Sequence, residues 1–118
     1  MSARSTRSAW TTAAVWTLGW VLAAAAASLL PGPFLLVREG LAEGELWRLW
    51  TGHLVHLTPE HFLLDVGAGA VLLLFVRSRL AALVLPPLVG LGVLALRPDL
   101  GAYGGLSGVL HGWTVLAA

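Results

Sequence analysis

From Ala9 to Leu30 the chain runs 22 residues without a charged side chain. As a helix rising 1.5 Å per residue, such a run reaches roughly 33 Å, the thickness of a bilayer's hydrocarbon core. Few soluble folds can bury a segment of that kind on all its faces. The rest of the 118 residues agree with a membrane setting: 58% are hydrophobic and 11% charged, against about 25% charged in an ordinary soluble domain. The Arg4 and Arg7 charges ahead of the run, and the small residues Ala23 to Ala27 within it, also allow a cleaved signal peptide. The length of the run, beyond an h-region of about 7–15 residues, favours a retained span.

Three further apolar segments follow, giving spans at about 9–30, 59–76, 80–96 and 104–118 in one domain of residues 1–118. Pro31-Gly32-Pro33 stops the first, Arg77-Ser78-Arg79 closes the second, and Arg97-Pro98-Asp99 turns the chain after the third. Pro86 and Pro87 lie inside the third, where each removes a helical hydrogen bond, so a kink or break is expected there. The fourth segment is about 15 residues long at Ala118, short of a full crossing. The fold class expected is all-α, a polytopic transmembrane bundle.

The connection from Pro31 to Thr51 is polar, with Arg38, Glu39, Glu43, Glu45 and Arg48 beside Trp47 and Trp50. Tryptophan prefers the headgroup level, and simple anchoring accounts for both rings. Arg4, Arg7, Arg77 and Arg79 fall on one side of this topology, and Arg38, Arg48 and Arg97 fall on the other with most of the acids. The positive-inside rule then favours a cytoplasmic N-terminus and places the start of the fourth segment near the outer face. The net charge of +1 is too small and too scattered for nucleic-acid binding. With no cysteine, disulfides, thiolate metal sites and cysteine nucleophiles are excluded.

Polar groups inside apolar segments are costly and mark function by default. His61 and Asp65, four apart, share one helix face. His56 falls at or before the start of that helix, where an imidazole is suited to a structural hydrogen bond. Ser107 stands between Gly105 and Gly108, and with Gly104 these small residues let a helix or an extended substrate approach closely. At a helix start the free N–H groups favour an anion, so an oxyanion formed on Ser107 could meet its own N–H and His61. Serine needs a base. His53, His56, His61 and His111 are the histidines available, and His111, four residues on, reaches the serine only if the first turn permits.

Each feature has a plainer explanation. Glycine-flanked serines are commonly packing residues in membrane helices. The set His53, His56, Glu60 and His61 could instead hold zinc, copper or iron. No His-Glu-x-x-His sequence is present, and a metal leaves Ser107 unexplained, so neither metal nor other cofactor is expected.

Taken together, these motifs resemble the rhomboid intramembrane serine proteases, and most nearly the bacterial rhombosortase branch. Glu45-Leu46-Trp47-Arg48-Leu49-Trp50-Thr51 is similar to the family's Trp-Arg element. His56, His61 and Asp65 follow the spacing of its second helix, and Tyr103-Gly104-Gly105-Leu106-Ser107-Gly108 resembles its nucleophile motif, continued by Val109-Leu110-His111-Gly112. The match runs from about Glu45 to Ala118. It implies a serine endopeptidase with Ser107 as nucleophile, His61 and Asp65 at the oxyanion, and Glu45 with Arg48 stabilising the outer loop. It also implies a place in a bacterial inner membrane with the site toward the periplasm. The partners implied are lipids and the transmembrane segments or C-terminal sorting tails of exported proteins.

Two positions depart from the family. Its base histidine stands on a later helix, so the resemblance implies a bundle cut after the start of its fourth helix, with that histidine about 40–70 residues beyond Ser107. Asp65 replaces an asparagine; it could donate to an oxyanion if protonated by burial, or accept from His61 and fix its tautomer. Without a base, the alternative is an inactive relative that binds client helices in the same glycine-lined groove.

Overall fold

In the computed structural model, which describes residues 3–118 with side chains from Thr6 onward, Pro31 sets the first boundary. The side chain of Arg4, one of the charges used to orient the chain, lies outside the described residues. Helix α1 covers Ala3–Leu29 and stops just before the proline that cannot continue it. Its hydroxyls turn inward: Thr11 and Thr12 donate to the carbonyls of Arg7 and Ser8 at 3.0 and 2.9 Å. That satisfies the polar atoms without water, as a helix in hydrocarbon requires.

The connection is folded rather than loose. It holds strand β1 (Leu36–Val37), the short helices α2 (Arg38–Ala42) and α3 (Arg48–Thr51), and a 3-10 turn at Gly52–Leu54. Helix α4 covers Pro59–Phe75, and its start is written in the sequence Thr-Pro-Glu-His. The Thr58 side chain accepts the His61 N–H at 3.2 Å, Pro59 occupies the first turn where an N–H is not needed, and Glu60 meets the positive end of the helix dipole. Ser78 caps helix α5 (Arg79–Leu96) in the same way through the Ala81 N–H. Strand β2 (Ala102–Tyr103) and helix α6 (Ser107–Ala117) complete the chain.

Helix α5 runs unbroken through Pro86 and Pro87, contrary to the break allowed for at that point. The physical reason is local. Pro87 leaves the carbonyl of Leu83 without its helical donor, and the indole N–H of Trp50 fills the vacancy at 2.8 Å. Trp50 is thus more than an interfacial anchor. Trp47 is likewise tied, its indole donating to the Pro33 carbonyl at 3.2 Å.

α1 packs on α4, α4 on α6, and α6 on α5. The seam is made by small residues, among them Ala24, Ala27 and Ala82, which let backbones approach. Trp113, fully buried, fills the centre with Leu73, Val76, Leu106 and Val109, and Trp20 meets it edge-on at 5.0 Å. A second apolar cluster of Leu36, Leu49 and Leu94 lies under the connection. There β1 and β2 pair antiparallel, Leu36 opposite Tyr103, which ties the loop after α1 to the loop before α6. Arg38 completes the tie. Its guanidinium donates to the carbonyls of Leu94, Arg97 and Leu100, so it closes the end of α5, where backbone acceptors lack partners.

The outer faces are apolar. Leu63 and Leu64 on α4 are 70% and 74% exposed, and Leu18, Leu22, Leu88 and Leu91 also point outward. A surface of this kind belongs against lipid rather than water. α1 over Thr6–Leu29 and α5 over Arg79–Leu96 are each long and apolar enough to cross a membrane. Arg48–Leu54 and Pro59–Phe75 meet the same measure only as a pair, with a bend of 109° between them. At 11 residues α6 is too short to cross alone.

Candidate functional site

The bend between Leu54 and Pro59 is what brings the polar residues together. It delivers the segment from Gly52 to His56 against the Gly104-Gly105-Leu106 turn that opens α6, and the Gly105 N–H donates to the Gly52 carbonyl at 3.1 Å. Gly105 has φ +120°, a conformation that L side chains rarely adopt. A Cβ there would also stand 2.9 Å from Cε1 and 3.2 Å from Nε2 of His61. Gly104 is confined as well, since a Cβ would meet Leu35 at 2.9 Å and the Val55 carbonyl at 3.2 Å.

His61 and Asp65 sit one turn apart on α4 and face this loop. His61 Nε2 is 2.9 Å from Asp65 Oδ2, and the same oxygen accepts the Leu106 N–H at 3.2 Å. Asp65 therefore holds two elements at once, orienting the imidazole and fixing the turn just before Ser107. The oxygen engaged in this way is an acceptor. His56 approaches from the other side, its ring edge-on to His61 at 4.9 Å and its Nε2 3.5 Å from Asp65 Oδ2.

The segment carrying His56 is anchored to α1 by Ser28, which sequence reading passed over as one more small residue of a span. Ser28 Oγ donates to the Leu54 carbonyl at 3.1 Å and accepts the His56 N–H at 3.0 Å. One hydroxyl thus satisfies two backbone groups at the bend.

Ser107 is the first residue of α6 and its side chain is exposed. The first N–H to close on the helix is that of Leu110, which donates to the Leu106 carbonyl at 2.9 Å, so the N–H groups of residues 107–109 stand outside the ladder. The Tyr103 hydroxyl lies beside this helix start, 3.4 Å from a notional Cβ on Gly108. Burial pushes the Tyr103 phenol above its usual range, so it stays protonated at neutral pH. Tyr103 was legible as part of the motif, but its place beside the helix start depends on the β1–β2 pairing and not on helical spacing.

The other histidines are placed elsewhere. His53 is fully buried, its Nδ1 donating to the Gly105 carbonyl at 3.3 Å and its ring edge-on to Tyr103 at 5.4 Å. His111 does turn back along α6, but it meets the backbone: Nδ1 donates to the Ser107 carbonyl at 2.8 Å. Among the described residues no imidazole hydrogen-bonds to the Ser107 hydroxyl.

Arg48 and Glu45 form an ion pair under the connection. Arg48 is buried and also donates to the carbonyls of Gly32 and Leu35 at 3.0 and 2.7 Å, so one guanidinium gathers the whole turn after α1. Gly40 packs against this pair; a Cβ there would fall 2.5 Å from both Arg48 Nε and Glu45 Oε2. Gly108 allows the approach of Val89 and the Tyr103 hydroxyl, at 2.9 and 3.4 Å from a notional Cβ.

Comparison of the chain with protein-family models, with curated proteins and with solved structures finds no match in any of the three.

Proposed function

We propose that this chain carries the nucleophile of an intramembrane serine endopeptidase of the rhomboid type, nearest to the rhombosortases, within a multi-pass bundle of the bacterial inner membrane. The observation that carries this reading is the position of Ser107: exposed, first in its helix, on a turn gripped by Asp65 and His61. Ser107 Oγ would attack the carbonyl of a peptide bond in or near a client's transmembrane segment, such as the C-terminal tail of an exported protein. The oxyanion would meet the free N–H at the start of α6, and each preorganised donor contributes about 3–4 kcal/mol. The Ser107 proton must pass to a base, and the acyl-enzyme is then released by water. In the rhomboid pattern that base is a histidine on a later helix, and among the described residues no imidazole takes its place.

One observation favours a second reading. Since no imidazole reaches the Ser107 hydroxyl, while Ser107 stays exposed on a bundle whose outer faces are apolar, the same face would serve a binder of client helices that performs no chemistry; Gly104, Gly105 and Gly108 do not line an open groove, because Leu35, His61 and Val89 fill the space beside them. A client with an apolar tail, co-expressed with the whole product of the gene, separates the two. The protease cleaves the tail, and Ser107→Ala abolishes cleavage while the client still co-purifies. Co-purification without cleavage in either protein sinks the protease.

A further inference from the structure

The orientation of His56 poses a chemical problem. Its Nδ1 lies 2.9 Å from the Leu54 carbonyl, and a carbonyl only accepts, so Nδ1 carries the proton and the lone pair is on Nε2. That Nε2 is buried, makes no hydrogen bond, and faces Asp65 Oδ2 at 3.5 Å. The side chain of His56 is wholly inaccessible and that of Asp65 only 13% exposed. The buried lone pair on His56 Nε2 thus faces a carboxylate oxygen with no donor of its own, an unpaired arrangement that costs free energy and that a cation between them would relieve. His61 Nε2 stands 2.9 Å from the same carboxylate oxygen, and the three donor atoms all fall within 4.8 Å of one another.

We infer that His56 Nε2, His61 Nε2 and the Asp65 carboxylate bind one zinc-class divalent transition-metal ion. Two imidazoles and a carboxylate suit such ions. A tetrahedral centre with bonds of about 2.0–2.1 Å holds its ligands roughly 3.3–3.4 Å apart; the two nitrogen–carboxylate separations, 3.5 and 2.9 Å, lie on either side of that value, and the half-exposed His61 ring is the ligand that must turn to close the set. The surroundings are those of a built site. The ring N–H of His56 is spent on a backbone carbonyl, that carbonyl is itself held by Ser28, and Asp65 is steadied by the Leu106 N–H. Partners of this kind orient metal ligands and fix their tautomers. His61, with 42% of its side chain exposed, gives the ion a way in and can turn its free N–H outward. The set differs from the one weighed from sequence: His53 faces Gly105 instead, Glu60 is exposed at the start of α4, and Asp65 takes their place.

Such a site does not depend on Ser107 being a nucleophile. A metal-held His61 has no Nε2 proton for an oxyanion, so metal binding and that role exclude each other and are tested separately. Untagged protein in detergent, stripped with chelator, is titrated with cobalt(II), and visible absorption and thermal midpoint are followed. The expected result is one cobalt per chain, displaced by one zinc, with a raised midpoint. His61→Ala, the half-exposed ligand whose loss disturbs folding least, abolishes stoichiometric binding, as does Asp65→Asn. Ser28→Ala weakens binding by about 10-fold or more, and Glu60→Gln leaves it unchanged. Folded wild-type protein that takes up no cobalt or zinc at 1:1 overturns the site, as does uptake that persists in both His61→Ala and Asp65→Asn. A proton would then bridge His56 and Asp65.

Discussion

Replacing Gly105 by alanine tests how the turn before Ser107 is held. The substitution adds one carbon, at a place where the backbone has φ +120° and the nearest atom of His61 would be 2.9 Å away. Holding a non-glycine residue in such a conformation costs about 1–3 kcal/mol. The His61 ring must also shift, weakening its 2.9 Å contact with Asp65, which adds about 0.5–1.5 kcal/mol. Together these give about 1.5–4.5 kcal/mol of lost stability. Reversible unfolding in mixed micelles measures it, with two glycines as references. Gly44, at φ +90° with open space around it, reports the backbone term alone. Gly101, with open space and no such φ, should stay within about 0.5 kcal/mol of the parent protein. Gly105→Ala should exceed Gly44→Ala, and the excess should vanish when His61 is also alanine. A Gly105→Ala cost no larger than that of Gly101→Ala would refute the packing described for the turn.

Trp50→Phe should cost about 1–3 kcal/mol, because the Leu83 carbonyl that Pro87 deprives of a donor loses its replacement; adding Pro87→Ala should recover most of that loss in the same unfolding assay. Gly40→Ala should separate Arg48 from Glu45 and free the loop after α1, read as faster proteolysis between Pro31 and Thr51 with α1 and α5 intact. The Arg97 guanidinium holds the Asp99 carboxyl below the usual aspartate range. A carboxyl whose folded pKa is depressed contributes stability above its unfolded value, near 4, and loses it as pH falls through the folded value. Comparing Asp99→Asn with the parent across acid pH should therefore show a small gap in stability that closes on acidification.

Helix ends were the most legible part of the chain. Pro31, the Thr58-Pro59-Glu60 start and the Ser78 cap act within one turn, and the chemistry that sets each boundary lies in adjacent residues. The short helices and the β1–β2 pair were not foreseen, because they depend on contacts such as Leu36 with Tyr103, far apart in sequence. The Pro86-Pro87 pair left the helix unbroken for the same reason: the donor that replaces the missing N–H is Trp50, on another element. At the site, the 61/65 spacing placed both groups on one face, and the glycines marked a place of close approach, which the structure fills with Leu35, His61 and Val89 of the chain itself. Nothing local could show that Asp65 would take the Leu106 N–H or that Ser28 would hold the histidine segment, because both contacts join elements that meet at the 109° bend ahead of α4. His111 is the local case: four residues after Ser107 on the same helix, its Nδ1 meets the backbone carbonyl and not the hydroxyl.

The most direct test of Ser107 as a nucleophile is covalent labelling of the whole gene product in native membranes by a serine-reactive phosphonate, with the adduct located by mass spectrometry. The adduct should fall on Ser107, disappear in Ser107→Ala, and diminish in Asp65→Ala, where the turn loses its acceptor. A folded, membrane-inserted protein that acquires no adduct on Ser107 above the Ser107→Ala background would contradict the protease reading and leave the client-binding reading in its place.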